Sequence, residues 1–297
     1  MTHPSLMSVH PMLVAQNAAT NRYYQRAIES VGGENYTRAC QLRAAASQMR
    51  MTLPPITPQP PPADADALPG WLTDAVAATT ATWERAAKLE ALTNLIGECD
   101  RNIGGIASNT DALCRSLADD LAQLMDSVAA VVDELKGART PAQVIDLGVA
   151  DAWKKLPTLR TEYDRIRAAQ ELVMAREAEW QHAKSDRYHD DPLASDMALA
   201  NLDDIFPRWR DGHTDTFVLQ GEKPDPRPWP KDPVEQLVWL CTSNARPWIP
   251  TSGELDRLAG QRRRRANPMP EFIPGRPDRQ DKSRKPSKVI QSTGGSR

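Results

Sequence analysis

Three side chains beyond the middle of the chain could together bind a metal ion: His182, Asp186 and His189. They lie in the segment HAKSDRYHDD (182–191) at positions i, i+4 and i+7, so a helix would place all three on one face. Imidazole and carboxylate groups are ligands that suit Zn²⁺ and other first-row metal ions. The same pattern is also typical of a solvated helix end running into a cap at Asp191. The sequence leaves both interpretations open.

Positive charge is concentrated at the C-terminal end of the chain. Residues 261–297 contain eleven basic and three acidic residues, a net charge of +8, although the whole chain has a net charge of −2. Such a segment predicts contact with phosphates or with an acidic protein, while a merely solvated tail is the third interpretation. The side chains expected to bind the partner are Arg262, Arg263, Arg264, Arg265, Arg276, Arg279, Lys282, Arg284, Lys285 and Lys288.

Residues 140–156 have the outline of a helix-turn-helix, with Gly148 at the turn. A DNA-binding version would present Asp151, Lys154 and Lys155 to the major groove. However, Lys154 occupies a position where an apolar residue normally anchors the second helix. A purely structural corner is therefore the competing interpretation.

The sequence contains no signature of an enzyme class. It has no Gly-rich nucleotide-binding loop, no HExxH metal motif and no GxSxG elbow, and its five histidines are scattered. Its four cysteines form no CxxC pair, which excludes a zinc ribbon. We therefore favour a non-enzymatic role without a cofactor, although catalysis by carboxylates alone stays open.

The apolar residues recur mainly at helical spacing. A stripe at steps of three and four over 70–103 includes Leu72, Val76 and Trp83, and a second stripe follows over 113–135. Gly104-Gly105 separates the two, and Ser108-Asn109-Thr110-Asp111 supplies capping groups for the second. A short Gly-rich turn between two long helices predicts an antiparallel hairpin packed along its length, with Cys99 opposite Cys114.

Several shorter elements are predicted around this hairpin. Their helical ranges are 11–31, 35–51, 149–156, 158–188, 192–206, 233–241 and 251–261. Residues 216–219 are the single strand candidate. Four tryptophans lie in the Pro-rich stretch 207–250, and we expect their rings to pack against helices rather than to form an exposed surface.

The predicted fold class is all-α: an elongated helical bundle built on the long antiparallel hairpin, with a Pro/Trp-rich irregular segment and a disordered basic tail. Six prolines in residues 53–62 mark the clearest boundary, because proline interrupts helices and central strands. The predicted regions are a helical pair (1–52), a proline-rich linker (53–68), the main bundle (69–206), the Pro/Trp-rich segment (207–261) and the tail (262–297).

An acidic helical body followed by a basic C-terminal end resembles phage scaffolding proteins, through charge distribution and helical pattern alone. The resemblance implies a phage or mobile-element origin and a role in assembly. We hypothesise a non-enzymatic interaction or scaffold protein, as a single copy or a homo-oligomer, that docks a partner through its basic tail. The alternative is a nucleic-acid-binding accessory protein using the tail and residues 140–156. With no signal peptide and no apolar membrane span, we expect a cytoplasmic protein.

Overall fold

The computed structural model describes residues 10–138, 141–175, 190–207, 209 and 227–266. The fold class of these residues is all-α, as predicted, and their extended pairing includes an isolated bridge between Leu199 and Pro247. The described helices are α1 (Pro11–Thr20), α2 (Arg22–Thr52), α3 (Leu68–Ala107), α4 (Thr110–Glu134), α5 (Pro141–Asp146), α6 (Ala150–Met174), α7 (Leu202–Ile205), α8 (Pro233–Thr242) and α9 (Ser252–Ala266). By spatial proximity the chain divides into two units, 1–257 and 258–297.

Short polar side chains begin several of these helices. Asn21 accepts hydrogen bonds from the backbone N–H groups of Tyr23 and Tyr24 at the start of α2, at 2.9 and 3.2 Å. Asp232 does the same for the first turn of α8, at 2.9 and 3.0 Å. These bonds satisfy donors that have no partner within the helix. The cap at Asp232 agrees with the helix predicted to start at residue 233, whereas the break at Asn21 falls inside the helix predicted over 11–31.

The element α2 is bent at Gly33, within the Gly32-Gly33 pair where the sequence predicted one helix to end and another to begin. Gly33 has φ +52° and ψ −139°, which is not a helical conformation, so two helical segments meet there at a kink. A side chain would be strained in this conformation, so glycine permits the bend. The predicted break between two helices is therefore confirmed, although no loop separates the two segments.

The predicted hairpin of two long helices over 70–136 is not found. Helix α3 packs instead against the second half of α2, where Arg43 forms an ion pair with Asp100 at 2.5 Å. Helix α4 packs against α6, α8 and the first half of α2, where Arg26 pairs with Asp120 at 2.5 Å. Because α2 runs antiparallel to both α3 and α4, the break at residues 108–109 does not reverse the chain. The apolar stripes of α3 and α4 therefore face α2 and α6 rather than each other.

Cys99 was predicted to lie opposite Cys114 across this hairpin, and without the hairpin that prediction has no basis. None of the four cysteines, all of which lie among the described residues, forms a disulfide. Burial raises the pKa of the Cys99 thiol, and it raises that of Cys241 to about 11. Thiols with raised pKa values are poor nucleophiles at neutral pH, which fits a packing role.

Helix α4 provides the centre of the core. Its predicted stripe is buried, with Leu113, Leu117 and Val128 fully enclosed. Facing it, Tyr163, Ile166 and other residues of α6 are buried in the same cluster. Helix α6 is one helix through Pro157, where the sequence predicted two. The apolar side chains before and after the proline share one buried face, and this packing offsets the hydrogen bond that proline cannot donate.

The helix predicted over 192–206 is wrong in most of its length. Residues 190–201 form successive turns, and only Leu202–Ile205 is helical. Asp191 and Ser195 accept hydrogen bonds from the N–H groups of Leu193 and Met197, at 3.0 and 3.1 Å. Such local side-chain bonds compete with a helix. The backbone carbonyls of this segment accept hydrogen bonds from residues that are distant in sequence, Arg167 and Trp248.

The tryptophans pack as predicted, as far as the structure describes their surroundings. Trp209 is fully buried, and Trp229 lies 5.8 Å from both Phe206 and Trp239, measured between ring centroids. The Trp248 indole N–H donates to the carbonyl of Asp196 at 2.7 Å. The strand candidate 216–219 lies outside the described residues.

Thr251 pairs with Glu254 at the start of α9, where the sequence predicted a helix to begin. The backbone N–H and the hydroxyl of Thr251 both donate to one Glu254 carboxylate oxygen, at 2.7 Å each. The backbone hydrogen bond is the main cause that lowers the pKa of Glu254, and burial opposes it. Helix α9 then extends to Ala266, five residues beyond the predicted end.

Candidate interaction surfaces

The first half of α3 exposes a row of large apolar side chains. Leu68, Leu72, Val76 and Trp83 are 51, 57, 61 and 74% exposed. At about 100° per residue they fall within roughly 80° of one another around the helix axis. We call this row, together with Thr79 and Thr80 between its members, the uncharged face. The sequence predicted that these apolar residues would pack within the bundle, and their exposure corrects that expectation.

The two threonine hydroxyls of the uncharged face are already bonded within α3. The hydroxyls of Thr79 and Thr80 donate to the carbonyls of Ala75 and Val76 in the same helix, at 2.8 and 3.0 Å. A threonine bonded in this way has its hydroxyl satisfied within its own helix. Asp74 is the one charged residue in 68–83, and by helical geometry it lies on the opposite side from Leu72.

A different side of α3 holds it against α2 and the proline-rich connection. Trp71 donates its indole N–H to the carbonyl of Pro60 at 2.8 Å, and Arg85 donates to the carbonyl of Pro54 at 2.8 Å. Trp71, Ala75, Ala78, Arg85 and Leu89 are less exposed than the residues between them. The uncharged face is therefore the side of α3 that contacts neither α2 nor the proline-rich connection.

The four consecutive arginines predicted to bind a partner lie in the last turns of α9. Arg263, Arg264 and Arg265 are exposed and Arg262 is half-buried. Positive side chains at this position also interact favourably with the negative end of the helix dipole. The sequence predicted disorder from residue 262, whereas the structure places 262–266 in the helix. The remaining predicted contacts, Arg276, Arg279, Lys282, Arg284, Lys285 and Lys288, lie outside the described residues.

The segment 141–156 forms a corner between α5 and α6. Gly148 has φ +64° between the two helices, and Val144 and Leu156 are buried in one small cluster. Asp151, Lys154 and Lys155 are exposed on α6, where Lys154 pairs with Asp151 at 3.1 Å and Lys155 pairs with Glu134 at 2.7 Å. Contact of this segment with DNA stays a prediction.

The candidate metal ligands His182, Asp186 and His189 lie outside the described residues, so their geometry stays a prediction. Within the part of the chain that the structure describes, no three His, Cys, Asp or Glu side chains are grouped as metal ligands would be. No helix in that part is long and apolar enough to cross a membrane.

Comparison with known proteins adds no relative to this picture. No family model, no curated protein and no solved structure matches the chain. Function must therefore be argued from the surfaces themselves.

Sequence reasoning found the arginines because charge is visible in composition. It missed the uncharged face because an apolar stripe has the same period whether it is buried or exposed. A usable signal was present: sixteen residues, 68–83, with one charged side chain are unusual for a helix facing water on most of its surface.

Proposed function

We propose that the chain is a non-enzymatic helical interaction protein of the cytoplasm, which pairs with a second copy and docks an acidic protein partner through its basic C-terminal segment. The uncharged face carries the proposal. Large exposed apolar patches on folded chains mark interaction sites, whereas single exposed apolar residues do not. Here four such side chains share one stripe and include a tryptophan, a residue type enriched at the energetic centre of interfaces.

A second copy suits the uncharged face better than a charged partner. The face has no charge to attract or orient an oppositely charged surface. Two-fold pairing brings identical surfaces together, and with the axis near Val76 it would place Leu72 of one copy near Thr80 of the other. Leu68 would then approach Trp83 across the axis. Residues 68–83 span about 24 Å, which is long enough for a pair of helices to bury several turns.

Charge placed on this face should separate the copies. We expect Trp83→Glu to raise the dissociation constant of the dimer by at least about tenfold, since it removes a large apolar side chain and places a charge in the contact. Sedimentation velocity of the full chain across the micromolar range measures this directly. Circular dichroism confirms that the variant stays helical.

Ala77→Glu is the matched control, because Ala77 is exposed on the same helix about 100° from Val76. It should leave the dissociation constant unchanged. A wild-type chain that stays monomeric at every concentration would refute pairing, and so would equal weakening by both variants.

The basic segment supports docking to an acidic partner. Its arginines are consecutive and helical, and residues 261–297 contain one aromatic residue, Phe272, for stacking on bases. The same arginines favour the second candidate function, a nucleic-acid-binding accessory protein, because guanidinium groups pair with phosphates.

Fluorescence anisotropy with labelled duplex DNA and single-stranded RNA distinguishes these two functions. For protein docking we expect no specific binding of the full chain at physiological salt, and no difference after replacing Arg262–Arg265 together by glutamine. Salt-sensitive binding, with a slope of log K against log salt that falls by about 3 to 4 in that variant, would instead establish the nucleic-acid function. The K154Q/K155Q variant tests residues 140–156 in the same assay.

A further inference from the structure

A polar cleft lies between α6 and the turns that begin at Asp190. Its volume is about 250 Å³, and its lining includes Arg160, Tyr163, Arg167, Asp190 and Ser195. All of these residues belong to the first unit of the chain and are well separated from the uncharged face in sequence. The proposed docking function makes no use of this cleft.

Two residues that line the cleft each carry a buried hydrogen-bonding group without a partner. Tyr163 is 3% exposed, and its buried hydroxyl makes no hydrogen bond. The Nε–H of Arg167 is also buried and makes none. Most buried polar groups in folded proteins are paired, so two unpaired groups lining one cleft require an explanation. Both can donate a hydrogen bond, which predicts a ligand that accepts.

The charge of Arg167 is not compensated by any described carboxylate. Its other nitrogens donate to the side chain of Gln170 at 2.8 Å and to the carbonyls of Met197, Ala198 and Trp248, at 3.1, 3.1 and 2.7 Å. All four acceptors are neutral. These bonds fix the guanidinium in place, and its carbon lies 5.0 Å from the centre of the Tyr163 ring. A fixed cation without a counter-ion favours an anion.

The neighbouring charges are already paired. Arg160 bonds to Asp164 at 2.9 Å, and Asp191 bonds to Arg227 at 2.6 Å. The exposed carboxylates of Glu171 and Asp190 lie at the same cleft. These carboxylates would repel a ligand that carries charge alone, but they can accept hydrogen bonds from a hydroxyl or amino group on the same ligand.

We propose that this cleft binds a small organic acid, whose carboxylate or phosphate oxygens accept hydrogen bonds from Tyr163 and from the Nε–H of Arg167. The volume exceeds what an inorganic ion needs and is below that of sites for drug-sized ligands. The acidic side of the cleft selects anions that also carry a hydrogen-bond donor, such as hydroxy acids, amino acids or small phosphate esters.

The test follows the Nε–H signal of Arg167 by ¹H–¹⁵N NMR of the full chain. Arg167→Lys assigns that signal by its loss. The probes are sodium phosphate, acetate and glycolate, each compared with sodium chloride at equal ionic strength. We expect at least one oxyanion to shift the signal to saturation while chloride does not. The phosphate and acetate arms show whether the site takes phosphate or carboxylate groups.

Tyr163→Phe removes one of the two donors and keeps the ring against which Arg167 lies. Because the lost hydroxyl has no partner, this variant should keep the melting temperature of the free chain and bind the anion about tenfold more weakly, as expected for loss of a hydrogen bond to a charged group. Tyr36→Phe is the matched control, since Tyr36 is buried but does not line the cleft. No oxyanion response beyond chloride, or equal affinity in Tyr163→Phe and wild type, would overturn the proposal.

Discussion

Replacement of Asp191 by alanine is expected to lower the free energy of unfolding by about 3 kcal/mol, because the Trp229 indole N–H loses its buried acceptor and the Arg227 guanidinium loses the closer of its two carboxylate contacts. Asp191 is 5% exposed. Its carboxylate accepts from Arg227 at 2.6 Å, from the Trp229 indole at 2.9 Å and from the backbone of Leu193 at 3.0 Å. The turn that follows Asp191 and the segment 227–229 therefore both depend on one side chain. Urea denaturation followed by far-UV circular dichroism measures the loss.

The neighbouring residue provides the control. Asp190 also contacts Arg227, but at 3.5 Å and with a side chain that is 65% exposed. A surface ion pair of this kind contributes about 0.5 kcal/mol or less, so Asp190→Ala should be close to neutral. Equal losses in the two variants would show that the Asp191 contacts do not hold this region together.

The role of Asp191 also shows why the segment after it was difficult to predict. Asp191-Pro192 is a typical start for a helix, and the sequence predicted one to residue 206. The partners that decide otherwise are distant: Trp229 and Arg227 bind Asp191 itself, and Arg167 binds the carbonyls of residues 197 and 198. No local pattern records these contacts.

Helix existence was easier to predict than helix packing. The α4 stripe has apolar residues at steps of three and four, and the structure buries it as expected. An apolar stripe identifies the face of a helix that packs, but it does not identify the neighbouring helix against which this face packs. The partner of α3 is α2, reached through the proline-rich connection, and a hairpin interpretation of the Gly104-Gly105 turn could not show this.

The candidate surfaces also differ in whether the sequence alone can locate them. Charge at Arg262–Arg265 is fixed by composition, so the sequence locates it without a fold. The uncharged face and the cleft at Tyr163 depend on what remains exposed or unpaired after packing. A tyrosine in an apolar helical stripe is predicted to be an ordinary core residue. Only the tertiary structure shows that the hydroxyl of Tyr163 has no hydrogen-bond partner.

The close approach of α2 to α3 depends on a second glycine, and Gly32→Ala is expected to destabilise the fold by about 2 kcal/mol. Gly32 is buried one residue before the kink. A Cβ there would lie 2.5 Å from the Cβ of Tyr36 and 3.0 Å from Cδ1 of Ile106. Tyr36 lies in the same element as Gly32 and its Cβ cannot move without its backbone, so the kink of α2 at Gly33 must change, while the Ile106 side chain of α3 must also give way. Thermal and urea unfolding of the variant measure the effect.

Gly105→Ala distinguishes this steric effect from the general effect of replacing glycine in a helix. Gly105 is exposed in the last turns of α3, and a Cβ there would meet no atom within 4 Å. Alanine is the better helix former by about 1 kcal/mol, so this variant should be equally stable or more stable than wild type. The two substitutions are chemically identical, and opposite signs would assign the loss at Gly32 to its contacts. If Gly32→Ala also stabilised the chain, the kink of α2 would not bring Tyr36 and Ile106 as close to Gly32 as the structure shows.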